Sequence, residues 1–278
     1  MQEKGIIKVN SGNKYFFRFT ANQRFQHIIL SLSVIILVLT GMPLKFHNTF
    51  WAPYLYPLFG GIEFAPVFHR FAGTILMLLF GYHIGYLIYN FYVGEIAPLK
   101  KSGRLSIAEI LMTIANQPLM PNLKDAKDIM ALFKYLFFIS DKRPEGKEFT
   151  WKEKFDYWAP FWGVVIIGSS GIIMWGQVLA TKILPGEIIN FALIAHSDEA
   201  LLAALFLFIW HWYNVHFSTS VFPMGTAFLT GYLTEDLMIE EHYEYYVEVM
   251  KSEGFENEIL PPHGASDSHV PGPQKEGE

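Results

Sequence analysis

The 278 residues include no cysteine. That absence excludes disulfides, iron–sulfur ligation, a thiol nucleophile and the C-x-x-C-H site of covalently attached haem, so any redox centre has to be held by other side chains. Charge is sparse too, at 17% of residues, and its small surplus is acidic, a formal net charge of -5 that comes largely from the C-terminal region. A nucleic-acid surface needs the opposite sign, and that class is set aside. There is no internal repeat of fixed period. What the chain has in abundance is apolar surface: 51% of residues are hydrophobic and 17% aromatic, with a positive mean hydropathy. Such values are rare in a soluble domain of this size and point to a membrane protein.

A bilayer core takes about 20 mostly apolar residues per helix, and four stretches qualify. They run from Gln26 to Leu44, Phe64 to Tyr92, Trp158 to Ala180 and Ser197 to Phe222. The first reads as a retained span: it carries Gln26 and His27 and leads into GMPLKFHNTFW, which is no cleavage site for a signal peptide. Lysine and arginine cluster before the first span and in the loop of residues 94–157, while the other two loops hold almost only Lys45 and Lys182. The positive-inside rule then expects both termini and the middle loop in the cytoplasm. Trp51, Tyr54, Tyr56, Tyr157, Trp158, Trp162 and Tyr213 suit interfacial belts.

Outside the spans, SIAEILMTIANQ and DAKDIMALFKYLFFIS space their apolar residues as interfacial helices do. Thr150-Trp151-Lys152-Glu153 predicts a capping box ahead of the third span. TEDLMIEEHYEYYVEVM reads as an acidic helix, and PPHGASDSHVPGPQKEGE as disordered. The expected fold is all-α: a short cytoplasmic N-terminus (1–24), a four-span integral membrane bundle with its interfacial loop helices (25–233), and an acidic helix with a tail (234–278).

Histidine is the residue out of place. His69 and His83 bracket the second span; fourteen residues apart on a helix, they are separated by a rise of about 21 Å and a rotation of about 40°. His196 and His211 repeat this on the fourth span, with about 22 Å and about 60°. The two spans run the same way, so His69 and His196 share the outer level and His83 and His211 the inner one. A single intramembrane imidazole is commonly a packing residue or part of a proton path. Two facing pairs at two depths are what two stacked six-coordinate haems require, with neutral imidazole as the iron ligand. Gly41, Gly73, Gly81, Gly85 and the GSSG at 168–171 either make room for flat macrocycles or serve close helix packing. Arg70 and Arg24 pair with haem propionates or anchor in lipid headgroups. The inner level is over-supplied, because His27 and His216 lie there as well; His216 is about 140° around an α-helix from His211 and is expected on another face, as a surface or quinone-site residue.

The segments QRFQHIILSLSVIILVLTGMPLKF, VFHRFAG, KFDYWAPFWG and HSDEALLAALFLFIWHWYNVHF touch all four spans. Together they resemble the di-haem cytochrome b subunits of nickel–iron hydrogenases and formate dehydrogenases, and the related subunits that serve periplasmic multihaem cytochromes. The resemblance implies haem b ligated by His69 with His196 outside and by His27 with His211 inside. HRFAGTILMLLFGYH is also similar to the second helix of quinol:cytochrome c reductase cytochrome b, which would instead oppose His83 to His211. A third haem on His83 and His216 is a further alternative. The implied setting is a bacterial or archaeal cytoplasmic membrane. There, electrons would pass between menaquinone or ubiquinone on the cytoplasmic side and a periplasmic multihaem cytochrome c, or an iron–sulfur or catalytic subunit. Quinol oxidation is the direction expected, with quinone reduction for a hydrogenase or formate dehydrogenase as the alternative. Asn214 and His216 are candidates for the quinone oxygens; Asp198 and Glu199 read as acids at a helix N-terminus, a position that favours them regardless of function. Rivals from other classes are a histidine-relay transporter, a structural anchor, and a ferric reductase lacking its flavin domain.

Overall fold

A computed structural model of the chain describes residues 7–10, 12–141 and 144–262. It begins with a hairpin: β1 (Ile7–Asn10) and β2 (Asn13–Phe17) pair antiparallel, from Ile7 opposite Phe16 to Asn10 opposite Asn13. Gly12, at φ +84, takes the left-handed turn position that a side chain would strain. Thr20 then caps α1 (Ala21–Lys45): its hydroxyl accepts from the Gln23 N–H at 3.2 Å, while the Gln23 side chain accepts from the Thr20 N–H at 2.9 Å. This reciprocal cap starts the helix upstream of Gln26, the first residue that hydropathy alone selects.

The second long helix, α2 (Ala65–Lys101), continues past Tyr92 through a π-helical turn at Tyr92–Ile96. In the loop that follows, α3 (Ile107–Ala115) and α4 (Leu123–Leu136) form where apolar residues recur at helical spacing. The box at Thr150 and Glu153 closes as expected and starts α5 (Trp151–Trp175) ahead of Trp158; α5 stops before Gly176, so the stretch to Ala180 is a separate turn. The fourth, α6 (Ile188–Phe217), begins upstream of Ser197 and ends in two π-helical turns, Phe206–His211 and Tyr213–Phe217. These four helices are long and apolar enough to cross a membrane. Their apolar side chains point outward: no more than 17% of any of their apolar windows is buried. They pack chiefly as two hairpins, α1 on α2 and α5 on α6.

The chain is mostly helical but not all-α. β3 (Tyr232–Thr234) pairs antiparallel with β2, setting Tyr15 opposite Thr234 and Phe17 opposite Tyr232, to give a three-stranded sheet. A lone hairpin is marginal in water, and the third strand that completes it comes from the far end of the chain, where no local pattern announces it. Behind the sheet lie α7 (Glu235–Glu241) and α8 (Tyr243–Ser252). Phe16, Leu233, Met238, Ile239, Tyr246, Val249 and Met250 form the shared core, so the two ends of the chain build one small unit.

That unit is tied to the long helices through the first turn of α5. The Arg18 guanidinium, 3% exposed, meets Glu153 at 2.7 Å, donates to the Glu148 carbonyl and stacks 3.9 Å over the Phe149 ring. His242 donates from Nδ1 to the Lys147 carbonyl at 2.8 Å and brings Nε2 to 3.8 Å from Glu153. Lys154, also buried, holds both oxygens of Asp125 at 2.9 Å, and Asp125 in turn caps α4. Trp158 donates its indole N–H to the Leu119 carbonyl at 3.0 Å. The loop helices are therefore clamped to α5.

Two consequences can be measured. Lys154→Met leaves the Asp125 charge buried without its partner and should cost about 3 kcal/mol, read as a lower melting temperature in detergent, with Asp125→Leu added to Lys154→Met restoring most of it. Burial holds the His242 pKa below its ordinary 6.5 in spite of the pull of Glu153. The unfolded chain then binds the proton first, so this contribution to stability is complete above pH 6.5 and is lost as pH falls below it. Melting temperature against pH should show that acid limb, and His242→Gln should flatten it.

Candidate functional site

Two pairs of imidazoles face each other between the hairpins. In the first pair, His69 of α2 and His196 of α6 have ring centroids 6.0 Å apart and planes at 67°. Each ring is held from behind by the helix preceding its own. His69 Nδ1 lies 2.9 Å from the Thr40 hydroxyl, which itself donates to the Ile36 carbonyl at 2.7 Å and therefore has a lone pair to offer. His196 Nδ1 lies 2.8 Å from the Ile167 carbonyl and 3.4 Å from Ser170 Oγ, which donates to the Ile166 carbonyl at 2.6 Å. A carbonyl can only accept, so the proton of His196 sits on Nδ1 and Nε2 keeps its lone pair; the Thr40 geometry favours the same tautomer at His69.

The resemblance between the two supports extends to the next residue. A Cβ on Gly41 would stand 3.0 Å from His69 Cε1, and one on Gly171 would stand 3.0 Å from His196 Cε1. Thr40-Gly41 near the end of α1 and Ser170-Gly171 near the end of α5 are thus equivalent cradles, each receiving the imidazole of the following long helix. Their only sequence signal is a hydroxyl residue before a glycine, too short to register as a repeat. Gly81 and Gly85, by contrast, face open space, and Gly73 makes an ordinary contact with Leu37.

In the second pair, His27 of α1 and His211 of α6 stand 6.3 Å apart, with planes at 40°. His211 Nδ1 is 3.3 Å from Asp156 Oδ2, an acceptor that again puts the proton on Nδ1. His83 takes no part in this pairing. Its Nδ1 lies 2.7 Å from Gln26 Oε1 and its Nε2 3.2 Å from the Tyr157 hydroxyl, so both nitrogens are engaged, and Tyr157 is a neighbour of His83 as well as an aromatic at the span end. His216 does not sit on an unrelated face. It shares the Phe228 ring with His27, each at 5.7 Å. The two π-helical turns explain the change, because i→i+5 winding advances less per residue than the 100° of an α-helix and swings His216 back toward His211.

Arg70 lies 5.8 Å from the Trp175 ring, and Arg24 donates to the Leu229 carbonyl. Asn214 spends its amide N–H on the Trp210 carbonyl at 2.8 Å, one turn back. Asp198 and Glu199 are in the interior of α6, not at its N-terminus, because the helix starts earlier than hydropathy suggests; Asp198 pairs with Lys45 at 2.6 Å. Six buried side-chain atoms have no hydrogen-bond partner among the described residues: Arg24 Nε, Gln26 Nε2, His27 Nδ1, Asp156 Oδ1, Trp210 Nε1 and His216 Nδ1. All belong to residues at the His27 level or flanking it, whereas the His69 level has none.

Among the described residues, no cluster of three or more histidine, cysteine, aspartate or glutamate side chains can hold a metal. Each pair brings two imidazoles from different helices together. With imidazole–metal bonds of about 2 Å on either side of one ion, two ring centroids fall about 6 Å apart. Both pairs match that spacing, at 6.0 and 6.3 Å, so each could supply two of the ligands of one metal ion. No protein-family model matches the chain, and no curated protein matches it in sequence.

The glycine cradles can be separated from the open glycines by substitution. Gly41→Val and Gly171→Val should each destabilise by about 1–3 kcal/mol as the added methyls press on the imidazoles. Gly81→Ala and Gly85→Ala should be neutral or stabilising by up to about 1 kcal/mol, as for any helical glycine with room beside it. Thermal melts of the four variants in one detergent give the comparison.

Proposed function

We propose that this chain is a membrane di-haem b-type cytochrome that carries electrons between the quinone pool and a redox partner on the opposite side of the membrane. The observation that carries the reading is the two facing imidazole pairs, at 6.0 and 6.3 Å, one between α2 and α6 and the other between α1 and α6, so that α6 contributes a histidine to each. His69 and His196 would hold the outer haem, and His27 and His211 the inner one. Bound haem would supply a reversible one-electron carrier at each level.

The protein's own contribution is orientation and charge. Thr40, Ser170 and the Ile167 carbonyl hold the outer rings in the tautomer that presents Nε2, and Asp156 does so for His211. Arg70 and Arg24, beside ligands of the two levels in sequence, supply cations for propionates. His216 and Asn214 at the inner level are the quinone candidates, His216 being favoured by its buried Nδ1 without a partner. The engagement of both His83 nitrogens argues for two haems and against a third. With the basic loops placed in the cytoplasm, the outer haem would face a periplasmic partner, a multihaem cytochrome c or an iron–sulfur or catalytic subunit, with quinol oxidation as the direction.

The test is a reduced-minus-oxidised visible spectrum with pyridine haemochrome quantitation on the purified chain. Two b-type haems are expected. His69→Ala and His27→Ala should each lose one, while His83→Ala keeps both. A chain without haem, expressed with adequate haem supply, would return the histidine-relay transporter or the structural anchor.

A further inference from the structure

The two imidazole pairs are not held alike. At the His69 level both Nδ1 groups donate to neutral oxygens, the Thr40 hydroxyl and the Ile167 carbonyl. At the His27 level, His211 Nδ1 meets a carboxylate, Asp156, while His27 Nδ1 has no partner. Helix α5 delivers both kinds of acceptor, Asp156 near its start and Ile167 with Ser170 near its end. The Asp156 side chain is 14% exposed, and among the described residues no lysine or arginine pairs with it; its second oxygen is buried without a hydrogen bond. Lys154, two residues from Asp156 on the same helix, is paired with Asp125 at 2.9 Å, and Arg24, three residues before His27, donates to the Leu229 carbonyl. At the other level the cation Arg70 follows His69 directly in the chain.

We propose that Asp156 is a positioning residue that makes the His27–His211 centre the lower-potential of the two. The inference rests on the haem reading above. A carboxylate accepting the Nδ1 proton gives the imidazole more anionic character and makes it a stronger donor to iron, which favours the oxidised state. Its negative charge acts in the same sense through a medium that screens poorly. A hydroxyl or a backbone carbonyl does neither to the same extent. The order that results runs downhill from the end carrying the surplus polar groups to the end carrying the two glycine cradles.

Optical redox titration of the purified holoprotein tests this. Wild type should show two midpoint potentials, and His69→Ala, which keeps only the inner centre, should retain the lower one. Asp156→Asn keeps the size of the side chain and removes its charge; it should move that lower potential upward and leave the other in place, with Asp156→Glu restoring much of the original value. Two haems whose potentials do not respond to Asp156→Asn, or a response confined to the higher one, would overturn the inference and leave the haem reading standing. Protein without haem would overturn both. If Asp156→Asn fails to fold, the comparison of wild type with His69→Ala still decides the order: a surviving centre at the higher potential rules it out.

Discussion

The His69–His196 level follows from one requirement: an imidazole placed among apolar helices is stabilised by bonding its Nδ1–H, and most helical backbone groups there are already committed to one another. The chain answers at one level with a hydroxyl that bonds back into its own helix and so presents a spare lone pair, and with a carbonyl accepting a second hydrogen bond beside such a hydroxyl. A glycine in the next position lets the ring come in close. Those contacts set α1 behind His69 and α5 behind His196, and with the Nδ1 protons engaged there the lone pairs are left on Nε2. The proposed haem chemistry depends on that tautomer.

The other level is built differently, and the difference is informative. A carboxylate, an unpartnered imidazole, a third histidine and several unsatisfied buried polar atoms gather there. Unpaired buried polar atoms are costly, and a native fold keeps few without a reason. Their concentration at one end separates a level committed to holding two rings from a level with polar capacity to spare. Under the proposed function, that spare capacity belongs with the exchange of protons as well as electrons.

The extra-membrane portion is organised around the start of α5. Arg18 from the N-terminal hairpin, Lys154 with Asp125 from the middle loop, and His242 from the C-terminal helices converge on the first turn of one helix. The same helix carries Asp156 and Ser170, so the attachment of the small sheet-and-helix unit and the support of His211 and His196 share a single element.

Local pattern determined a good part of this. The four long apolar helices follow from runs of about 20 apolar residues, and the capping box at Thr150 from its spacing. The helix ends differed, since hydropathy registers only the apolar stretch while Thr20 and Thr150 start their helices earlier among polar residues. Other features were decided by tertiary structure alone. The pairing of β2 with β3 joins residues from opposite ends of the chain. Two π-helical turns, invisible in a composition that suits an α-helix equally well, turned His216 inward. Helical register matched His83 to His211 and the family resemblance matched His27 to it; in the fold His27 faces His211, while both nitrogens of His83 are engaged by Gln26 and Tyr157. Periodicity along one helix can say which residues share a face; only the packing of several helices says which of those faces meet.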